Sequence, residues 1–252
     1  MPENFSKIIA FNDELHALVN EKIMTDMPNA DEKQLFIAFV LAKAYKTHEA
    51  TVLLSRNGYG EDAFMLTRTI FELMITAVYI LQDETNERLM RYLRYDWITR
   101  KKMYDYLKTN PELLAVLEGQ EETLAKVAAE AAAAQETYSY RFGWSDQSIE
   151  GMSRAIGRED AYRTVYHLQC TVGHTNPRSM NEYVLDTEEG MVLNIGPNWD
   201  LAEKSLVILF DCYFHIVLEA AHLFGWNIED TLKDMETRYA TVLQTLSPLR
   251  NA

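Results

Sequence analysis

The sequence predicts an all-α fold, a single helical bundle of about eight helices with one small β-hairpin near residues 182–195. Three observations predict it. Apolar residues recur at the helical spacing of 3.6 along most of the 252-residue chain. Gly, Pro and Asn/Asp clusters interrupt that pattern roughly every 25 residues. Only one short stretch, Tyr183-Val184-Leu185 followed by Thr187-Glu188-Glu189-Gly190 and Met191-Val192-Leu193, has the run-turn-run form of a hairpin. Neither a composition shift nor an internal repeat marks a boundary, so residues 1–252 read as one domain.

In order, the first helix runs from about Glu3 to Asp26 and stops before Pro28. The second starts near Ala30-Asp31 and ends at Asn57-Gly58-Tyr59-Gly60, a break short enough to make it an antiparallel neighbour of the third. The third, about Glu61 to Gln82, is the most apolar of the early helices and belongs in the core. The fourth, about Thr85 to Lys108, sets Arg88, Arg91, Arg94, Arg100, Lys101 and Lys102 against an apolar face and is the chain's only concentrated positive surface. Asn110-Pro111 reads as the start of a fifth helix reaching about Tyr140, Ala-rich from Ala128 to Ala134, where small side chains suit an oligomer contact. A short helix, about Gln147 to Ile156, has Ser145 or Asp146 as N-cap candidates. Another, about Glu159 to Gly173, is stopped by Pro177. After the hairpin, Trp199 to Phe224 and Ile228 to Leu246 close the chain as two helices.

With 24 basic and 38 acidic residues the formal charge is -14, which repels phosphate backbones at long range. DNA is therefore not an expected partner, and an RNA contact would need a local pocket. Cys170 and Cys212 lie inside apolar helical patterns and read as reduced thiols. The start lacks the basic and apolar regions of a signal peptide, so a cytoplasmic location is expected. Asp211, His215, Glu219 and His222 interrupt the most membrane-like stretch, from Ser205 to Trp226, which therefore reads as a buried helix and gives no membrane partner.

Three constellations carry chemistry. Arg163, His167, Cys170 and His174 fall within about 60° of one another on a continuous helix. They suit proton transfer, anion binding or metal ligation, or else capping and core roles. Glu61, Arg68 and Glu72 share a stripe about 40° wide on the apolar third helix. That stripe is either a structural ion pair or the wall of a polar cavity in which Arg68 faces His174 and holds an anionic group. Asp211, His215, Glu219 and His222 form the third, with the Glu-x-x-His spacing of di-iron bundles. Such bundles need two copies and the chain has one, so no metal or other cofactor is assigned; a metal-dependent oxygenase on His215, Glu219 and His222 is a minor alternative. The chain lacks a phosphate-cradling Gly-rich loop, a Gly-x-Ser-x-Gly elbow, a Cys-x-x-Cys pair and a His-Glu-x-x-His motif.

The run Ser55-Arg56-Asn57-Gly58-Tyr59-Gly60-Glu61-Asp62-Ala63, with Leu66-Thr67-Arg68-Thr69-Ile70-Phe71-Glu72 after it, resembles the first signature of the bacterial domain of unknown function 5677. Trp144-Ser145, Gly157, Tyr162, Tyr166 and His174 resemble its downstream pattern, so the likeness covers about Leu54 to Pro177. Proteins of this kind are compared with the HEPN superfamily, whose ribonucleases carry Arg, four to six residues, then His. No histidine here has Arg at that distance; His167, six residues before His174, is the nearest stand-in, with Arg163 one turn earlier. The resemblance implies a HEPN-like bundle, dimeric, with Arg163, His167 and His174 as catalytic residues. Arg56, Arg68, Glu72 and Tyr166 would bind the ligand. If catalytic, it implies a metal-independent ribonuclease of toxin or phage-defence type, in which His174 handles the proton and Arg163 or Arg68 the phosphate. The alternative is a non-catalytic module that binds a small anionic ligand or a protein partner.

Overall fold

A computed structural model describes residues 4–23, 29–110, 112–173, 177–188 and 190–245. The elements are α1 (Phe5–Lys22), α2 (Glu32–Arg56), α3 (Gly60–Leu81), α4 (Glu87–Thr109), α5 (Glu121–Thr137), α6 (Ile149–Ala155), α7 (Glu159–Ala161), α8 (His167–Gly173), α9 (Met180–Tyr183), β1 (Val184–Thr187), β2 (Gly190–Leu193), α10 (Trp199–Phe224) and α11 (Glu229–Thr245). A π-helical segment, Tyr162–Tyr166, joins α7 to α8 without a break. The fold is all-α with a two-stranded antiparallel hairpin in the register Val184 with Leu193 and Thr187 with Gly190. The chain forms two compact units, residues 1–78 with 156–252, and residues 79–155.

In the first unit α10 is the central helix. Thirteen of its side chains are buried, among them Leu206, Leu209, Tyr213, Ile216 and Val217. It packs on α1 and α2. Helix α1 meets it with Phe5, Ile8, Asn12, Leu15 and Val19, spaced three and four apart so that one stripe faces the core. Both α3 and α10 are long and apolar enough to cross a membrane by length and composition; 56% of each apolar window is buried by the rest of the fold.

Polar groups pin this core in register. The Asn12 amide nitrogen donates to the carbonyls of Ile8 (2.9 Å) and Leu206 (3.1 Å), tying α1 to α10. Its oxygen is therefore the acceptor that faces His48 Nε2 at 3.2 Å on α2, so the proton sits on Nε2. His16 stacks on His48 with ring centroids 4.7 Å apart. Burial first, and then the charge His16 would carry, push the His48 pKa down to about 3.

The break at residues 57–60 is clamped against the start of α10. The Asn198 backbone N–H donates to Gly58 O at 2.9 Å, and the Asn198 side chain both donates to Glu61 Oε1 (2.9 Å) and accepts from Leu201 N–H as the α10 cap. A side chain at Gly60 would run into the backbone of Asn198 and Ala202. The glycine is there because two stretches of backbone touch.

The second unit packs α5 on α4. Ala131 and Ala134 lie against Ile98, with Tyr95, Trp97 and Tyr140 around them. Two alanines of the small-residue stretch, Ala131 and Ala134, are thus buried within the chain, while Ala128, Ala129, Ala132 and Ala133 are exposed. The fifth helix begins later than expected: Leu114–Leu117 form a 3-10 turn, and Gly119, in the left-handed region at φ 71°, precedes α5. Asp83 closes the N-terminus of α4 by accepting the backbone N–H groups of Thr85 and Arg88. The positive face of α4 carries its own counter-charges, with Arg100 on Asp96 (2.6 Å), Lys101 on Asp105 (2.5 Å) and Arg91 on Asp146 (2.6 Å). Ser148, not Ser145 or Asp146, caps α6, because its hydroxyl takes the Gly151 N–H at 3.1 Å. Ser145 instead holds Gln147 N–H, while Trp144 sits between Tyr79 and Tyr92.

His48 gives the fold a pH dependence. Its pKa is lower in the fold (about 3) than in the unfolded chain (about 6.5), so its contribution is intact above pH 6.5. As pH falls from there toward 3, the unfolded chain takes up a proton that the fold excludes, and stability drops by as much as about 1.4 kcal/mol per pH unit. Urea unfolding at pH 7 and 4.5 should show wild type losing about 2 kcal/mol more than His48→Gln over that interval; equal losses would contradict it.

Candidate functional site

Helix α3 has to dispose of Arg68 and Glu72 on an apolar element. Arg68 Nε donates to Glu72 Oε1 at 3.0 Å, one turn along. The Tyr166 hydroxyl donates to the same Glu72 oxygen at 2.7 Å and accepts from Arg68 Nη2 at 3.2 Å. The guanidinium also lies over the Tyr166 ring, 5.2 Å from its centroid. Arg68 and Glu72 side chains keep 33% and 37% of their exposure, so the pair is an open-sided site rather than a sealed ion pair. Burial opposes charge on Arg68, but the hydrogen bonds it donates to Glu72 and Tyr166 outweigh it and the guanidinium pKa rises. Burial, and then Glu72, push the Tyr166 phenol up, so it stays protonated.

One turn further, Gln169 is fully buried. Thr67 Oγ1 donates to Phe64 O at 2.6 Å and so can only accept from Gln169 Nε2, at 2.8 Å. That fixes the amide and leaves Gln169 Oε1 with no partner among the described residues. Met65, Arg68, Thr69, Glu72, Gln169 and Gly173 line a cleft of about 300 Å3 here.

Of the residues expected at a site, the structure brings Arg68, Glu72 and Tyr166 into contact, and it leaves three others apart from them. Arg163 lies exposed beside Glu159, 2.7 Å away. His167 is exposed with its ring edge against Tyr162. Arg56 pairs with Asp13 at the surface. Tyr166, Gln169 and Gly173, spaced three and four apart, share the face that meets α3; His167 lies on another face of α8, and the π segment that contains Arg163 shifts its phase relative to that helix. The same wide turn stacks Tyr162 on Tyr166 at 4.9 Å. Cys170, half-buried, lies near enough to bear on the charge of Arg68. His174 falls outside the described residues. Glu61, grouped with Arg68 by spacing, holds Asn198 instead. Gln169 escaped notice because an uncharged amide carries no motif; its only signal was its place three residues after Tyr166.

The late-helix constellation is partly assembled. Arg158 Nη1 donates to both Asp211 oxygens, at 3.3 and 3.2 Å, and Nη2 contacts His215 Nε2. His215 Nδ1 donates to Asp211 O at 3.0 Å, so Nε2 is the acceptor for Arg158. Burial, with the Arg158 charge adding to it, holds the His215 pKa below its usual value against the pull of Asp211. Arg158, a residue the helical spacing gave no reason to include, is the organising group. Among the described residues no three His, Cys, Asp or Glu side chains are grouped so that they could hold a metal ion.

Tyr166 supplies the test of this geometry. The difference in phenolate absorbance at 295 nm between wild type and Tyr166→Phe should stay flat from pH 8 to about pH 10, because an ordinary tyrosine is half-ionised there and Tyr166 is held protonated. A step of one tyrosine centred near pH 10 would contradict it.

No curated protein and no solved structure matches the chain. The model of a family of unknown function, DUF5677, matches residues 34–191, more than half of the chain and the part that holds Arg68, Glu72, Tyr166 and Gln169. The chain belongs to the DUF5677 family of unknown function.

Proposed function

We propose that the cleft beside α3 binds a small anionic ligand that also carries N–H or O–H donors, the pattern offered by a ribonucleotide. The observation that carries this reading is Gln169 Oε1, a buried acceptor with fixed orientation and no partner among the described residues, on a cleft that also presents Arg68. A buried acceptor left empty costs about 1–3 kcal/mol, which a ligand donor would recover. Arg68 supplies the charge for the anionic group, and Glu72, already bonded to two donors, fixes the guanidinium so that little order is lost on binding. Glu72, the carboxylate on the cleft lining, accepts from both Arg68 Nε and the Tyr166 hydroxyl and so is committed to holding the guanidinium, while Tyr166 is held protonated. They favour binding over catalysis.

The second reading is a HEPN-like, metal-independent ribonuclease of toxin or phage-defence type. Its support is chain order alone, since Gly173 lines the cleft and His174 is the next residue. In that reading His174 moves the proton and Arg68 faces the phosphate.

Calorimetric titration with adenosine 5′-monophosphate and with inorganic phosphate separates these. The nucleotide should bind more tightly than phosphate. Arg68→Met should weaken both by at least about tenfold, and Gln169→Leu should weaken the nucleotide alone, a loss of one hydrogen bond being worth roughly 1–3 kcal/mol. No binding of either, or full binding by Arg68→Met, would contradict the cleft as a site. Incubation with total RNA adds the catalytic arm: cleavage by wild type and none by His174→Ala supports the ribonuclease, and no cleavage by either removes it.

A further inference from the structure

A second cavity, of about 400 Å3, opens between α10, α11 and the helical run that starts at Arg158. Its walls are apolar, with Phe71, Val165, Ile208, Phe214 and Leu243 among them. Polar groups converge at one end, where the Arg158 guanidinium sits against the Asp211 carboxylate. An apolar concavity of this size with a few convergent polar groups has the build of a small-molecule site. The Arg68 cleft, polar and lined by other residues, is separate from it.

The polar end decides what kind of molecule fits. Its cation and anion lie side by side, and the neighbouring imidazole is committed on both nitrogens, to Asp211 O and to Arg158. A carboxylate placed on Arg158 would meet Asp211, with Glu236 also on the lining, and an ammonium placed on Asp211 would meet Arg158. Either charge would give up hydration in an apolar groove for a half-repulsive contact. A neutral amide suits both partners: its carbonyl accepts from Arg158, which has five N–H donors, and its N–H donates to Asp211, whose oxygens accept more than one bond. We propose that this cavity is a binding site for a small uncharged amphipath, with a carboxamide-like head on the Arg158–Asp211 pair and an apolar chain or ring along the Phe71 and Phe214 walls.

The experiment is calorimetric titration of the full chain at pH 7 with three eight-carbon compounds that differ only in the head: octanamide, octanoate and octylamine. Octanamide should bind with one-to-one stoichiometry and at least about tenfold more tightly than either charged analogue, the equivalent of roughly 1.4 kcal/mol. Ala240→Phe, at an exposed position on the α11 wall, puts a ring into the cavity and should abolish octanamide binding while the circular dichroism spectrum and melting temperature stay those of wild type. Val207→Phe fills it from the α10 side and serves if the first variant fails to fold. Equal binding of the three heads would mean partitioning into apolar surface and would overturn the proposal. So would a preference for either charged head, absence of octanamide binding, or octanamide binding undiminished in the folded filled variants.

Discussion

A guanidinium and a carboxylate on an apolar helix need matched partners, and on α3 that requirement decides how the π-containing run docks. Arg68 and Glu72 satisfy one another only in part, because one carboxylate cannot saturate five guanidinium donors. The Tyr166 hydroxyl completes the arrangement by donating to Glu72 while accepting from Arg68. It is one of few neutral groups able to do both at once. Tyr166 comes from a different part of the chain, so the same three-way contact that makes the charges tolerable also draws the helical run onto α3. Gln169 and Gly173 follow on the same face, and the cleft is the space left between them. Its residues are held by contacts the fold already needs, so the cleft is organised by the fold itself.

The rest of the first unit serves this arrangement from a distance. Helix α10 fills the centre, Asn12 fixes its height relative to α1, and the hydrogen bond between Asn12 and His48 extends that register to α2. The clamp of residues 57–60 on Pro197 and Asn198 sets where α3 begins. A helix with a fixed starting point has a fixed phase, and the phase of α3 puts Arg68 and Glu72 on the side where Tyr166 arrives. The glycine-rich stretch before α3 is thus part of how the site is aimed, although none of its residues lines the cleft.

Much of the fold was legible in the sequence because helix formation is local. The break before α3, the hairpin, and the pairing of Arg68 with Glu72 at a spacing of four all follow from periodicity and turn chemistry. What the sequence concealed came from non-local geometry. A π turn has no reliable residue signature, and the one at Tyr162–Tyr166 breaks the continuous α phase that would have put Arg163 on a common face with residues of α8. Gln169 became notable only once Thr67, about a hundred positions earlier in the chain, had fixed its amide. Arg158 lies before its helix in a short loop, where no helical spacing links it to Asp211 and His215. The Ala-rich stretch showed that something would approach closely, but periodicity alone did not say that α4 is what approaches.

The arrangement around Tyr166 is most directly tested by a double-mutant cycle on stability with Tyr166→Phe and Glu72→Gln, each measured by urea unfolding at pH 7 and then combined. If the hydroxyl bridges Arg68 and Glu72, the two substitutions are coupled by about 1 kcal/mol, because the first removes a bond that the second would otherwise weaken. Losses that add to within about 0.3 kcal/mol would show that Tyr166 and Glu72 do not touch, and the cleft would have to be built differently.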